Sequence, residues 1–213
     1  NVAREAGALT VGVVTKPFGF EGMQRKEIAE QAHAELESKV DTLITIPNDK
    51  ILQLVDKKTS LMDAFKIVDE VLQQGVKGIS DLITVPGIVN VDFADVKAIM
   101  EGTGSALMGI GSATGENRAI EAAKKAIESP LLEVSIEGAK GVLFNISGGS
   151  DLGMAEIDDA AKVITESIDP TAKVIFGAVN DEVLDNEVKI TVIATGFSGS
   201  QIVKNVVPEE GEQ

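Results

Sequence analysis

The chain has 213 residues, enough for one large domain or two small ones, and its 44% apolar content suffices for a packed core, which excludes general disorder. Its 34 acidic and 19 basic side chains leave a net charge of −15, and only 3% of residues are aromatic, so the composition argues against binding nucleic acid or an anionic membrane surface. The absence of cysteine excludes disulfides, thiolate metal sites and a Cys nucleophile, and the longest uncharged stretches, residues 102–115 and 190–203, are too short and too polar to span a bilayer.

Residues 1–7 read as the end of a helix closed by Gly7, running into an apolar strand over residues 9–15. This is the second half of a βα unit, whose first strand and loop are expected before residue 1. A helix follows over 23–38, then a strand over 40–46 that ends in the turn Pro47, Asn48, Asp49. From Leu61 onward, apolar residues recur at steps of three and four, which predicts one helix of about seven turns over 60–84. Ser60 and Asp63 form its capping box, and Pro86-Gly87 is its expected stop.

Beyond this helix the pattern starts afresh, with helices over 93–101, 116–129 and 155–167 and strands over 105–110 and 141–146. Two more strands, 173–177 and 187–194, are separated by a polar turn and are expected to pair with each other antiparallel. The sum is a four-stranded mixed sheet with helices packed on it. Residues 199–213 lose periodicity and read as the start of a disordered acidic linker.

Asn90, Asp92 and Asp95 bring two carboxylates and an amide within six residues between two helices, where they could orient a water or hold a cation. The same spacing suits plain helix capping, with Asp92 at the N-cap and Asp95 at the third helical position. Glu21 and Arg25 follow the first strand at its carboxyl end, where open α/β sheets bind ligands; they are also four apart and suit a surface ion pair. Asn48 ends the next strand at the same edge. Phe65 and Asp69 share one face of the long helix, where Asp69 could accept hydrogen bonds from a guanine edge beside the Phe65 ring, or the pair could be a core Phe and a solvated Asp.

Gly109, Gly111 and Gly115 imitate a dinucleotide fingerprint, but Thr114 stands where Gly or Ala is required, and a tight strand-to-helix turn is the simpler reading. His33 is the one histidine, which excludes a three-His metal site within one chain; it stands in a helix beside charged neighbours and reads as structural rather than as the base of a triad. No metal site is expected from the residues.

Taken together, Thr15-Lys16-Pro17-Phe18-x-Phe20-Glu21-Gly22, Ile46-Pro47-Asn48-Asp49-Lys50, Ser60-Leu61-Met62-Asp63-Ala64-Phe65, Asn90-Val91-Asp92-Phe93-Ala94-Asp95 and Ser129-Pro130-Leu131-Leu132 resemble FtsZ, the tubulin-like bacterial cell-division GTPase family. The resemblance covers nearly all of residues 1–200. It implies an α/β fold with a partial Rossmann-like GTPase domain (1–59), a long central helix (60–85), an activating loop and following helix (86–100), and a smaller α+β domain (101–198) before the linker.

The resemblance further implies a cytoplasmic protein at the mid-cell division ring that binds GTP or GDP with Mg2+ and polymerises head to tail. Glu21 and Arg25 would contact sugar and phosphate, and Asn48, Phe65 and Asp69 would form the guanine pocket. Asn90, Asp92 and Asp95 would act catalytically on the nucleotide of the neighbouring subunit. Division-ring partners would bind a C-terminal tail that this chain lacks, and no direct membrane insertion is implied. The family's phosphate cradle, G-G-G-T-G-T-G, would stand just before Asn1, so the chain alone is expected not to bind GTP. Two alternatives remain: a filament-capping interaction module without activity, and a dinucleotide-binding α/β enzyme using the segment from Gly109.

Overall fold

The computed structural model describes residues 2–53, 59–85, 87–89 and 91–197. A single turn, α1 (Val2–Glu5), leads to β1 (Val11–Lys16), then α2 (Met23–Glu37), β2 (Thr42–Pro47) and the short α3 (Asn48–Ile51). The turn read at Pro47, Asn48 and Asp49 is thus the end of β2 and the beginning of a helix. The long helix α4 (Leu61–Thr84) matches its expected bounds to within one residue. Its apolar repeat buries Ala64, Val68, Val71 and Leu82, and the Ser60 side chain caps it by accepting from the Asp63 amide at 3.2 Å. Pro86, one of its two expected stop residues, and the acidic linker from 199 lie outside the described residues.

After α4 come α5 (Phe93–Met100), β3 (Gly104–Thr114), α6 (Arg118–Ile127), β4 (Gly141–Gly148), α7 (Met154–Thr165), β5 (Lys173–Asn180) and β6 (Glu187–Thr195). All six strands form one sheet in the order β1-β2-β3-β6-β4-β5. The four-stranded mixed sheet is present as β3-β6-β4-β5, and it continues into β1 and β2 because residues 42–44 pair parallel with residues 104–106.

The strands over 173–177 and 187–194 do not pair with each other. β5 runs parallel to β4, whereas β6 lies between β3 and β4 and is antiparallel to both. The reason is burial. Val188 and all of residues 190–195 are buried, so β6 needs a neighbour on each edge and a packed layer on each face.

The pleat of the sheet feeds two cores. Val188, Ile190, Val192 and Ala194 of β6, with Val142, Phe144 and Ile146 of β4, meet α6 and α7. Ile193 and Leu143 point the other way, joining Val68, Leu82, Val96 and Ile99 of α4 and α5. The segment from Gly109 is not a nucleotide loop: residues 109–114 are strand paired along β6, and the expected turn into α6 begins only at Gly115, whose φ is +95°. A side chain at Gly109 or Gly111 would collide with the carbonyl oxygens of Ala126 or Ala122, so these glycines let α6 lie directly on the sheet. This removes the basis of the dinucleotide reading.

Candidate functional site

β1 and β2 are parallel and end side by side, Lys16 opposite Pro47, so the segments that follow them meet at one edge. Phe18 is buried there, stacked on Phe20 at 4.9 Å and edge-on to Phe65 at 5.4 Å between ring centroids. These contacts tie the segment after β1 to the first turns of α4. The Gly19 amide donates to Asp49 Oδ1 at 2.8 Å, tying it to α3 as well. Glu21, Arg25, Asn48 and Phe65, scattered over 45 positions of sequence, therefore gather at one end of the molecule.

Their local states differ. Glu21 Oε1 accepts from the Phe18 amide at 2.9 Å while Oε2 pairs with Arg25 at 3.2 Å, so the surface ion pair expected from the spacing is present. The Arg25 side chain remains 71% exposed, free to exchange that partner for an anion. Phe65 keeps 41% of its surface exposed despite its contact with Phe18. Asp69 lies one turn along α4 and is exposed.

Asn48 is the most informative of the set. It is 6% exposed, yet its Oδ1 accepts no hydrogen bond among the described residues. A buried amide oxygen without a donor is unfavourable unless something else supplies one.

The acidic turn sits at the opposite end of α4. Asp92 caps α5, its Oδ1 accepting from the Ala94 amide at 3.0 Å, and Asp95 follows in the first turn of that helix. Both side chains are exposed, so capping does not withdraw them from solvent. Asn90 lies outside the described residues. Just before the turn, residues 87–89 are pinned to the edge of the sheet: the Ile88 amide donates to the Ala178 carbonyl at 2.8 Å, and Val89 and Ala178 form an antiparallel bridge. Gly177 leaves room for Leu82 of α4, since a Cβ there would occupy the position of the leucine methyl.

The 24 residues of α4 make a rod of about 36 Å, with Phe65 and Asp69 in its first half and the acidic turn beyond its far end. Gly75 and Gly78 on that rod face Met108 and Thr191, which brings its middle close to β3 and β6. From Phe65 to Thr84 the helix rises about 28 Å, so within one chain Phe65 lies well apart from the helix end that leads to Asp92.

The family model described as FtsZ family, C-terminal domain, matches residues 104–198, and that described as Tubulin/FtsZ family, GTPase domain, matches residues 1–56. The chain belongs to the tubulin/FtsZ family. An FtsZ of M. jannaschii, solved as an empty dimer, superposes with a TM-score of 0.88 at 44% identity, over 92% of this chain and 57% of its own. The W319Y mutant of M. jannaschii FtsZ has the same score and identity, with 59% of its own length covered. CetZ1 from Haloferax volcanii, in a GDP-bound monomer, shares the fold at 20% identity and a TM-score of 0.71. The chain thus spans somewhat more than half the length of these relatives.

Several polar groups of this FtsZ-family chain carry no sequence signal. Arg118, 7% exposed, forms a fork with Glu156, Nε to Oε1 at 2.7 Å and Nη2 to Oε2 at 3.0 Å, and its Nη1 reaches Asp151 at 2.6 Å. Its hydrogen bonds to Glu156 and then Asp151 raise its pKa above the ordinary arginine value, and they hold the Glu156 carboxyl below the usual range. The cluster fastens the start of α7 to the start of α6. His33 Nε2 lies 2.7 Å from Thr45 Oγ1 and joins α2 to β2; burial, then the charge of Lys16, lowers its pKa. Among the described residues, no three His, Asp or Glu side chains gather as a metal site, and no helix is long and apolar enough to cross a membrane.

Proposed function

We propose that this chain forms part of a GTPase that assembles head to tail, in which the pocket of one copy is completed by the acidic turn of the next. The observation that carries the reading is that Asn48 and Phe65 stand at one end of α4 and the segment leading to Asp92 and Asp95 leaves the other, with about 28 Å of helix between Phe65 and Thr84. Stacking copies along that axis brings opposite ends together at each junction, a heterologous contact that extends into a filament rather than closing.

In this reading the Phe65 ring packs against the guanine, Asp69 accepts from its edge, and the unsatisfied Asn48 Oδ1 accepts a hydrogen bond from the nucleotide. Glu21 holds the sugar, and Arg25 releases Glu21 to meet phosphate oxygens. Asp92 and Asp95 of the adjoining copy, with Asn90, orient and polarise the water that attacks the terminal phosphate. Mg2+ travelling with the triphosphate would be held chiefly by the phosphates, since the described residues hold no cluster to cage it. The setting is the cytoplasmic division ring, with ring partners recruited through a tail beyond the present chain.

The test uses the full-length protein that carries this chain. Asp95→Asn leaves GTP binding intact and lowers turnover by about two orders of magnitude or more, the usual worth of a positioned general base. Undiminished turnover in that variant removes Asp95 from the chemistry.

A second reading concerns the chain by itself. It presents the exposed Asp92 and Asp95, while its sequence holds no G-G-G-T-G-T-G segment to cradle phosphates. Added to the assembling full-length protein, it caps filament ends and lowers light scattering; unchanged scattering at equimolar chain contradicts this.

A further inference from the structure

Near its middle, α4 adds an ionic contact to the apolar packing it makes with the sheet through Gly75, Gly78 and Ile79. Lys77 Nζ lies 2.7 Å from Asp181 Oδ2 in the turn between β5 and β6, and 3.9 Å from Asp81 Oδ2 one helical turn along. Asp181 is itself held in place: its amide donates to the Gly148 carbonyl at 2.8 Å, and its Oδ1 accepts from the Val183 amide at 3.2 Å. Lys77 therefore ties the helix to a fixed point 104 residues away in sequence.

A second tie joins the same two pieces of chain. Three residues before Asp181, Ala178 forms the bridge with Val89 that pins the segment following α4. Lys77 to Asp181 and Val89 to Ala178 are thus two closures of one ring, made of residues 77–89 on one side and 177–181 on the other, with Leu82 seated on Gly177 as an apolar contact beside them. Asp92 leaves that ring three residues beyond its second closure. If the first closure opens, α4 turns or slides on β5, and the second must absorb the displacement.

We propose that Lys77 is a positioning residue for the acidic turn: by holding α4 to Asp181 it keeps residues 88 and 89 in place on β5 and so fixes where Asp92 and Asp95 stand. The role rests on the functional reading above, and it lies outside both the pocket and the acidic turn. Lys77 also neutralises two carboxylates at once. Without its ammonium, Asp81 and Asp181 share a cleft of about 70 Å³, whose walls also include Gln74, Asn145, Ser147, Thr191 and a second cation, Lys189 of β6. Burial raises the pKa of Asp81, so a fall in pH protonates it and relieves this repulsion.

In the full-length protein, Lys77→Ala is expected to speed amide hydrogen exchange at Ile88 and Val89 about three- to fivefold, the scale of a part-exposed ion pair. It should lower kcat for GTP by a similar factor with KM unchanged, and Lys77→Arg should restore both. The ratio of parent to variant should move toward one as the pH falls far enough to protonate Asp81, whose pKa burial holds above the ordinary aspartate value. Unchanged exchange at Ile88 and Val89 overturns the proposal, as does faster exchange with unaltered kcat. A parent protein that turns over no GTP refutes the functional reading instead, and the exchange comparison still decides whether Lys77 holds the segment.

Discussion

Arg118→Met removes a guanidinium that makes two hydrogen bonds to the Glu156 carboxylate, one to that of Asp151, and a longer one to the Asp151 carbonyl at 3.3 Å. Methionine fills much of the same volume, so the loss is electrostatic rather than a cavity. Breaking a buried pair by deleting one partner costs about 3–5 kcal/mol when the survivor is stranded away from water. Here the survivors reach solvent, Asp151 with 42% of its side chain exposed and Glu156 with 26%, which brings the cost down to about 2–3 kcal/mol. Urea unfolding of parent and variant at pH 7 measures it as a lower midpoint at unchanged slope.

The pH dependence has a definite sign. Arg118 holds the Glu156 pKa below its unfolded value, so this stabilisation is complete above the ordinary glutamate range and is lost as pH falls through the lower, folded value. The guanidinium, its own pKa raised, stays charged throughout. The gap between parent and variant therefore narrows on acidification below the ordinary glutamate range. A loss under about 0.5 kcal/mol at pH 7, or a gap that persists unchanged into acid, would refute the reasoning.

Gly111→Val drives a side chain into the Ala122 carbonyl and the Ala126 amide, and it should cost about 3 kcal/mol or more or abolish the fold, read by thermal unfolding and expression. A stable, soluble variant would contradict the close approach of α6. Asp92→Asn preserves the cap of α5 while removing the carboxylate, whereas Asp92→Ala removes both. The alanine variant is expected to lose about 1 kcal/mol of stability and the asparagine variant almost none, while both lose GTP turnover. Full turnover with asparagine would leave Asp92 a cap alone.

The long helix was legible because burial and capping act on neighbouring residues. The apolar repeat from Leu61 and the Ser60 cap mark the helix and its start, and the structure has both bounds. Of the expected face Ala64, Val68 and Leu82 are buried while Leu61, Phe65, Val76 and Ile83 stay exposed, and Asp63 accepts from the Ser60 hydroxyl instead of completing the box. The β5–β6 error has a different origin. The polar turn with Asp181 and Asn186 looks like a hairpin loop, but a strand with both edges paired must be flanked by partners from elsewhere, and β4 takes one of those places. Gly109 and Gly111 misled for a related reason: glycine marks loops and also marks strands on which a helix lies closely, and only the alanines at 119, 122, 123 and 126 hint at the second.

At the site, residue types at strand ends picked out Glu21, Arg25 and Asn48, and the fold gathers them with Phe65. The unsatisfied Asn48 oxygen, the Arg118 cluster and the Lys77 contact to Asp181 were illegible. Each depends on partners brought together by tertiary packing, with no spacing rule to announce them.

The most direct measurement mixes two defective copies of the full-length protein. One carries Asp95→Asn and keeps its pocket; the other carries Asn48→Ala and Phe65→Ala and keeps its acidic turn. Neither turns over GTP alone. When mixed at equal concentration, roughly one junction in four pairs a sound pocket with a sound turn, so about a quarter of parental turnover should return. Mixtures as inactive as their components, with both proteins folded and co-assembling, would contradict a site shared between copies.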